Sequence, residues 1–435
     1  VLDRRVNVFG KEYHSKEHDF VEMDLTEFKN LYPEYDWQKF IDGIIGRPVD
    51  DSRSIIIRFG KYLKPMLDYI KKSPPHVVAN YLMFQILDAT MVSFTSDDPT
   101  TSTCSEEIEG NLHHILSALF VRNHYDEEKK RDINEIATYL RFSMENLIKD
   151  SKWLDEESRL EALKKLFNIR LLNGYINEVI QPRWLEENFG DMPIFPDNFI
   201  KSMISVRRHV TRLKQSLLFK PTEELSNYYL NMYSFNAFYY FGVNDLAAPL
   251  GFQRLPVYHQ FMPKAYNFGS IGSFLGHEIT HAFDNKGRND ASNAAFDEAA
   301  KCFVDAYSKY TFEGETEVYL DGKNTLTENI ADHGGVKESY FAYKKWLDYN
   351  RQYYTASTET LPELRLNNMQ LFFLSYAQFW CEYVEPFDYA TSLRSDHSPG
   401  QFRVLGVLSN FDKFANEFNC PLDSPMNPRD KCSVW

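Results

Sequence analysis

The sequence lacks any apolar run approaching the roughly 18 residues needed to cross a bilayer, so it predicts no transmembrane helix. It also lacks a basic cluster, and 62 acidic against 48 basic residues give a net charge of −14. That charge repels nucleic acid and anionic membranes, which disfavours both as partners. Three motifs are missing as well: a glycine-rich phosphate loop, a Gly-x-Ser-x-Gly nucleophile motif and an Asn-x-Ser/Thr sequon. These absences argue against nucleotide-dependent chemistry, serine-hydrolase chemistry and N-glycosylation.

Cysteine is scarce, and the count of five is odd: Cys104, Cys302, Cys381, Cys420 and Cys432. Two interpretations stay open at this point. Five reduced, mostly buried thiols are typical of a cytosolic protein. An oxidised protein would instead need partners outside this sequence for the unpaired thiols. The first residues contain neither an initiator Met nor a signal-peptide pattern, which indicates a mature fragment or a piece of a longer chain.

One metal-binding pattern is present, the H-E-x-x-H sequence at 277–281. Side chains four residues apart share a helix face, so His277 and His281 can hold one Zn²⁺ ion. Glu278 turns toward the open side of the metal, where a carboxylate can accept a proton from water. The alternative is a solvated surface helix. Apolar neighbours such as Phe274 and Ile279 argue against it, because they predict a buried helix whose polar residues need a partner.

A second segment, 324–335, supplies that partner. A catalytic zinc site needs three protein ligands and one open position, and Glu328 is the candidate third ligand. Asp332 lies one turn further along the same predicted helix face, where it can accept the spare N–H of a ligating imidazole. We expect Asn324 or Thr325 to begin this helix and the pair Gly334–Gly335 to end it.

The distribution of patterns predicts two lobes. Amphipathic helical spacing dominates the first half, with helices through 133–147 and 199–218 and one that begins after Asp155. After Pro221 the chain changes to short aromatic segments and proline-rich loops. We therefore expect a mainly α (α+β) fold, with a mostly helical lobe over 1–225 and a catalytic lobe over 226–435.

An ordered set of motifs lies in the segments 236–239, 276–284, 325–335, 371–381, 397–406 and 426–435. Together these motifs resemble the neprilysin and endothelin-converting-enzyme family of zinc metallopeptidases. The resemblance implies a thermolysin-like catalytic lobe with a small β-sheet, covered by a helical lobe, around a closed chamber that admits peptides. It also implies an extracellular or cell-surface location, since family members are mostly type II membrane proteins that face outward.

The resemblance assigns catalytic roles. The three candidate ligands match the family's zinc ligands, and Glu278 matches its catalytic carboxylate. Asp332 matches the acid that supports the ligand imidazoles and is often assigned as a proton donor. His397 matches the histidine that stabilises the oxyanion of the tetrahedral intermediate. Taken alone, His397 would be an ordinary loop histidine.

The resemblance also assigns substrate contacts. Asn236 and Ala237 match the edge that holds the peptide backbone, as when a peptide adds to a strand. Arg403 matches an arginine that binds a substrate carbonyl. Taken alone, Asn236 would be a turn or capping residue and Arg403 would form a surface ion pair. The aromatic residues named next would be core residues. Four residues match the walls of the pocket for an apolar residue after the scissile bond: Phe252, Val257, Phe274 and Trp380.

For the cysteines, the resemblance implies a Cys302–Cys432 disulfide. It further implies that Cys104, Cys381 and Cys420 pair with an N-terminal segment absent from this sequence. The resulting hypothesis is a zinc metalloendopeptidase with one Zn²⁺ per chain that hydrolyses short extracellular peptides. Two alternatives remain: a catalytically silent relative that binds peptides or cell-surface partners, and a cytosolic oligopeptidase with reduced thiols.

Overall fold

The computed structural model describes residues 20–58, 60–91, 102–221, 224–225, 228, 230–284, 290–314 and 318–435. They form two compact units. The first unit takes its residues from the chain up to His113 and from Leu185–Pro221, and the second takes His114–Trp184 and Thr222–Trp435. The second unit contains every residue predicted to form the site. The division into lobes 1–225 and 226–435 stays a prediction.

Helices make up most of both units, so the expectation of a mainly α fold is confirmed. In chain order the helices of the described residues are α1 (Leu25–Leu31), α2 (Trp37–Ile45), α3 (Gly60–Lys72), α4 (Pro75–Met91), α5 (Ser102–Asn111), α6 (His113–His124), α7 (Glu127–Asp150), α8 (Glu156–Phe167), α9 (Pro182–Phe189), α10 (Phe199–Ser216), α11 (Lys264–Asn267), α12 (Ser273–Asp284), α13 (Asp290–Tyr307), α14 (Leu326–Tyr349), α15 (Asn368–Phe379), α16 (Tyr389–Ser392), α17 (Gly400–Ser409) and α18 (Asp412–Glu417).

Among the residues that the structure describes, each unit contains one small sheet. In the first unit, β1 (Phe20–Asp24) pairs antiparallel with β2 (Ser54–Arg58). In the second unit, β3 (Arg170–Gly174) runs parallel to β5 (Asp245–Pro249), which pairs antiparallel with β4 (Phe238–Tyr240). The strand order β3-β5-β4 leaves β4 at an edge, and β4 packs against α12. The sheet therefore places an edge strand beside the helix that carries the H-E-x-x-H sequence.

The helix pair α12 and α14 forms the centre of the second unit, with α7 packed against α14. Helix α14 begins after Thr325, as predicted, but it continues through Gly334–Gly335 to Tyr349. The prediction that this glycine pair ends the helix is wrong. A Cβ at Gly335 would lie 2.4 Å from the carbonyl oxygen of Ser273 and 2.5 Å from the backbone nitrogen of His277. The glycines therefore allow the two helix backbones to touch.

A disulfide joins α13 to the C-terminal segment. Cys302 and Cys432 are bonded, with their Cα atoms 5.5 Å apart, which confirms the predicted pair. Cys381 is exposed and Cys420 is half-buried, and both are free thiols. The side chain of Cys104 lies outside the described part of the structure. None of the described helices combines the length and apolar character needed to cross a membrane.

Glu338 on α14 is a buried acid. Its side chain is 0 % exposed, and neither carboxylate oxygen has a hydrogen-bond partner among the described residues. Burial raises its pKa well above the usual 4.5. The folded protein therefore keeps a proton that the unfolded chain releases above about pH 4.5, so stability falls as pH rises from there toward the folded pKa.

We expect Glu338→Met to raise the free energy of unfolding at about pH 8 by about 1–3 kcal/mol, because the unsatisfied carboxylate is removed. The gain should shrink at about pH 4.5, because the unfolded chain then also holds much of this proton and folding of the parent no longer requires its uptake. Urea denaturation at both pH values measures it. The control is Glu363→Met at an exposed position, where we expect a change within about 0.5 kcal/mol. An equal gain at both pH values would contradict the assignment.

Candidate metal centre

Helix α12 places two imidazoles beside each other. His277 is 6 % exposed, and the His281 side chain is 12 % exposed. The rings lie one helical turn apart, perpendicular to each other, with centroids 4.5 Å apart. Their Nε2 atoms are separated by 3.0 Å. Both nitrogens therefore point toward one position next to the helix.

Helix α14 brings a carboxylate to the same position. Oε2 of Glu328 lies 3.3 Å from Nε2 of His277 and 3.6 Å from Nε2 of His281. Ligand atoms around a tetrahedral zinc with bonds of 2.0–2.1 Å are separated by about 3.3 Å. The three atoms therefore form a triangle of the size that zinc requires. Within the described residues this is the one group of three or more His, Cys, Asp or Glu ligand atoms that could hold a metal ion.

The opposite ring nitrogens are held by two aspartates. Nδ1 of His277 donates a hydrogen bond to Oδ1 of Asp332 at 2.8 Å, and Nδ1 of His281 donates to Oδ2 of Asp284 at 2.5 Å. With a proton on each Nδ1, both Nε2 atoms present lone pairs to the same position beside Glu328. Two nitrogen lone pairs and a carboxylate that face one position repel each other unless a cation lies between them. The residues present therefore fit a bound metal ion.

The electrostatics of the site point the same way. Burial lowers the pKa of His281, but its hydrogen bonds to Asp284 and Glu328 more than offset this and hold the pKa well above 6.5. For Glu328, burial raises the pKa, and hydrogen bonds from His277, His281 and His397 outweigh it, so the pKa lies well below 4.5. The cluster thus favours a positive charge at its ring nitrogens, and it keeps the facing carboxylate of Glu328 ionised.

Asp284 is a residue of the candidate site that the sequence reasoning missed. It lies three residues after His281 on α12, a spacing that places both side chains on one helix face. That spacing is the signal that could have found it. Its side chain is 1 % exposed, and the second oxygen, Oδ1, has no hydrogen-bond partner among the described residues.

Asp332 has a second partner, Arg403 on α17. Nε and Nη2 of Arg403 donate to Oδ2 and Oδ1 of Asp332, both at 2.6 Å. Burial raises the pKa of Asp332, but the positive charge of Arg403 and the hydrogen bond from His277 lower it to about 2. Arg403 also lies 3.9 Å from the ring centroid of Trp380. Two of its nitrogens thus hold Asp332, and its assigned contact with a substrate carbonyl stays a prediction.

His397 reaches the same centre from the segment before α17. Its Nε2 lies 3.2 Å from Oε2 of Glu328, and its Nδ1 lies 2.9 Å from Oδ1 of Asp396. The hydrogen bond to Glu328 raises its pKa to about 9, with burial opposing and Asp396 assisting. The side chain is 49 % exposed, so His397 is open to solvent as well as adjacent to the candidate ligands.

Glu278 lies on α12, and the predicted peptide-binding edge, Asn236 and Ala237, lies just before β4. Glu278 is half-buried and makes no hydrogen bond or ion pair with the other described residues. Burial raises the pKa of Tyr240 on β4 to about 12, and the negative charge of Glu278 adds to this effect. Just before β4, exposed Asn236 accepts a hydrogen bond at Oδ1 from the backbone N–H of buried Ala237 at 3.0 Å.

The predicted pocket walls belong to an aromatic cluster, which we define as Phe235, Phe252, Phe274, Phe379 and Trp380. Phe274 lies one turn before His277, and its ring centroid is 5.5 Å from both Phe252 and Trp380. Phe379 lies 4.2 Å from Phe274. The remaining predicted wall residue, Val257, is fully buried. Phe235 and Phe379 were not predicted, and nothing in their local sequence distinguishes them from core residues.

We expect Asp284→Asn to weaken zinc binding about 10–100-fold, because the amide cannot hold the His281 imidazole in the same orientation and charge state. The affinity is measured by competition with a chromophoric chelator, which needs no catalytic activity. Asp348→Asn, at a side chain that is 80 % exposed, serves as the control and should leave the affinity unchanged. Equal affinities for both variants and the parent would remove Asp284 from the site.

Comparisons with known proteins identify the family of the chain. Models of peptidase family M13 match residues 10–176 and 236–434. The chain is 33% identical over 447 residues to endothelin-converting enzyme 1 of Cavia porcellus, covering 95% of this chain and 58% of that protein. Against the Homo sapiens enzyme of the same name the identity is 32%, with 95% and 57% covered. The chain thus spans less than three fifths of the length of these relatives.

Solved structures show the same fold. The crystal structure of a Mycobacterium tuberculosis zinc metalloprotease in complex with inhibitor gives a TM-score of 0.78 at 20% identity, covering 96% of this chain and 66% of that one. The Haemonchus galactose containing glycoprotein complex gives 0.77 at 22% identity, covering 97% and 67%. At these identities the likeness concerns the fold alone. The two family matches, which together extend over most of the sequence, decide the assignment: the chain belongs to peptidase family M13.

Proposed function

We propose that this chain is a zinc metallopeptidase that hydrolyses short peptides. The observation that carries the proposal is the triangle formed by the two Nε2 atoms of His277 and His281 and by Oε2 of Glu328, with edges of 3.0, 3.3 and 3.6 Å. Zinc held there would supply a Lewis acid that polarises the scissile carbonyl and lowers the pKa of a water toward about 7.

The chain's own residues would move the protons and hold the charge. Glu278, next to the first ligand and without another partner among the described residues, accepts a proton from the attacking water and passes it to the leaving amine. His397 donates a hydrogen bond to the oxygen of the former carbonyl, where negative charge develops. Asp332 and Asp284 keep the two imidazoles oriented through their Nδ1 atoms.

Substrate would bind in extended form along the edge of the sheet. Asn236 and Ala237 directly precede the edge strand β4, which packs against α12. Backbone groups at that edge can pair with a peptide. The aromatic cluster would take an apolar side chain after the scissile bond, since Phe274 lies one turn from His277. Arg403 would add a hydrogen bond to a substrate carbonyl.

An extracellular or cell-surface location is part of the proposal. Its support is the Cys302–Cys432 disulfide, because such bonds persist in oxidising compartments and are rare in the cytosol. The competing hypothesis of a cytosolic oligopeptidase predicts five reduced thiols. Thiol counting under denaturation separates them, since a bridged protein gives two fewer reactive thiols than the five cysteines present.

The test of the proposal combines metal analysis with a peptide assay. We expect one zinc per chain by elemental analysis, and cleavage of quenched fluorogenic peptides with an apolar residue after the cut. A chelator should abolish cleavage, and added zinc should restore it. A protein that binds zinc and peptide without cleaving any member of the peptide set would instead be the silent relative. A protein without stoichiometric zinc would refute the proposal.

A further inference from the structure

The second unit contains a cavity of about 360 Å³ that is separate from the candidate metal centre. Residues of α13, α14, α17 and α18 and of the segment 431–435 line it, and we call it the C-terminal cavity. None of the candidate zinc ligands lines it, and neither do Glu278 and His397. Sites for small molecules occupy about 300–1,000 Å³, so the C-terminal cavity is large enough to hold one.

Much of the lining is apolar. Phe303 of α13, Val407 of α17 and Val434 are buried side chains that line the cavity. His333 lies beside them, with its ring centroid 4.6 Å from that of Phe303. Burial lowers the pKa of His333 to about 4, so this imidazole is neutral at neutral pH. This part of the cavity therefore suits the apolar body of a ligand and would not accommodate a charge.

The charged part of the lining is basic. It contains three lysines, Lys337, Lys413 and Lys431, and one acid, Asp412, whose side chain is 75 % exposed. The chain as a whole has the opposite balance, with 62 acidic and 48 basic residues. A ligand in the C-terminal cavity would therefore meet local positive charge on a negatively charged protein, which favours an anionic group.

Two of these lysines have partners and one does not. Lys431 donates a hydrogen bond to Oδ1 of Asp412 at 2.6 Å, and Lys337 donates to the backbone oxygen of Trp435. Burial nevertheless lowers the pKa of Lys337, so its positive charge is incompletely balanced. Lys413 is half-buried and makes no hydrogen bond or ion pair with the other described residues. A carboxylate bound beside Lys413 would supply the missing anion.

The lining also touches both helices of the candidate metal centre. Gly334 of α14 lines the cavity, and a Cβ there would overlap Oγ1 of Thr280, which lies inside the H-E-x-x-H sequence of α12. Trp435 lines it as well, and its ring centroid is 6.3 Å from that of Phe283, the residue before Asp284. Closely packed interiors transmit strain, so a ligand in the cavity can affect how α12 and α14 hold the imidazoles.

We propose that the C-terminal cavity binds a small organic carboxylate with an apolar body, and that the bound ligand strengthens zinc binding. Lys413 holds the carboxylate, and the buried apolar residues surround the body. A ligand that binds only the packed arrangement of α12 and α14 stabilises that arrangement, which is also the one that brings the three candidate ligands together. The cavity has the volume of about a dozen water molecules, which limits the ligand to on the order of a dozen non-hydrogen atoms.

Matched acid and amide probes test the charge requirement by isothermal titration calorimetry on the full chain. 2-Naphthoate and 2-naphthamide have nearly the same shape and differ in charge. We expect the acid to bind at least about tenfold more tightly than the amide, because it forms a charge-assisted hydrogen bond. N-acetylphenylalanine and its amide form a second pair, since the C-terminal residue of a peptide presents the same chemistry. Tighter binding of N-acetylphenylalanine than of 2-naphthoate would identify peptide ends as the source of the carboxylate.

Variants of the lining locate the bound probe. Lys413→Met should lower the affinity for 2-naphthoate about tenfold and leave that for 2-naphthamide unchanged. Val434→Phe adds bulk to the lining and should weaken binding of both probes. If Val434→Phe does not fold, Lys413→Met still decides, because its side chain is only half-buried. The control is Lys214→Met, at an exposed lysine of α10 in the first unit, which should keep both parent affinities.

Competition with a chromophoric chelator tests the connection to the metal centre. We expect saturating 2-naphthoate to raise the zinc affinity about fivefold or more, and zinc to raise the 2-naphthoate affinity by the same factor, because linked binding is reciprocal. The Lys413→Met protein should show no rise at the same probe concentration. These measurements need no turnover, so they hold even if the peptidase proposal fails.

Two results would overturn the binding site: equal affinities for 2-naphthoate and 2-naphthamide, and an affinity for 2-naphthoate that Lys413→Met leaves at the parent value. The second result would place the probe elsewhere on the protein. An unchanged zinc affinity in the presence of saturating 2-naphthoate would overturn the effect on the metal centre.

Discussion

Replacing Glu278 by Gln is expected to lower the kcat for peptide hydrolysis by at least about 100-fold, because the amide cannot accept the proton of the attacking water. Zinc content should stay at the parent value, since the proposed ligand atoms belong to His277, His281 and Glu328. The change is isosteric, so the fold should be preserved as well. Initial rates with a fluorogenic peptide and elemental analysis of the same preparation measure both quantities.

Glu298→Gln provides the matched control, because Glu298 is an exposed glutamate on α13 that receives the same chemical change. Its rate and zinc content should equal those of the parent. Undiminished turnover by Glu278→Gln would refute the proton-transfer role. Loss of zinc from Glu278→Gln would show that the variant acts through the metal site and would equally remove support for that role.

Replacing Gly335 by Ala is expected to separate α12 from α14 and to disrupt the metal site. The added Cβ would lie 2.4 Å from a Ser273 carbonyl oxygen, whereas ordinary contacts begin at 3.4 Å, so the backbones must move apart. Overpacking of this kind costs about 1–3 kcal/mol or more. Metal bonds tolerate only about 0.2 Å, so we expect a loss of zinc affinity of at least about tenfold. Thermal melting and chelator competition measure the two effects.

Gly43→Ala is the control for this substitution. Gly43 lies inside α2, and a Cβ there would meet no atom within 4 Å. Removing a glycine from a helix interior stabilises by about 0.5–1 kcal/mol, so this variant should be as stable as the parent or more stable. Zinc affinity should not change, because α2 carries no site residue. If Gly335→Ala behaved like Gly43→Ala, the close crossing would have no role in the site.

The local parts of the site follow from the sequence. His277 and His281 lie four residues apart, as do Glu328 and Asp332, and the helical period places each pair on one face. Helix starts are equally local: the side chain of Asp155 accepts a hydrogen bond from the backbone of Ser158, as expected for a residue that caps α8. These features depend only on neighbours within one turn.

The remaining features depend on contacts between distant segments. Gly334 and Gly335 have the composition of a helix end, and only the packing of α12 against α14 explains why the helix continues through them. The pairing of Arg403 with Asp332 spans 71 positions, and no local pattern encodes it. The lining of the C-terminal cavity has the same character, since it joins segments from Phe303 to Trp435. Sequence therefore identifies the ligands better than it identifies the residues that orient them.

The bond between Cys302 and Cys432 encloses Glu328, Asp332, His397 and Arg403 within one covalent ring, while the histidine pair of α12 stays outside it. A single backbone cut anywhere inside that ring leaves both pieces attached. Nicked molecules would migrate as one band on a non-reducing gel and separate only after reduction. A single band on a non-reducing gel is therefore not evidence of an uncut polypeptide.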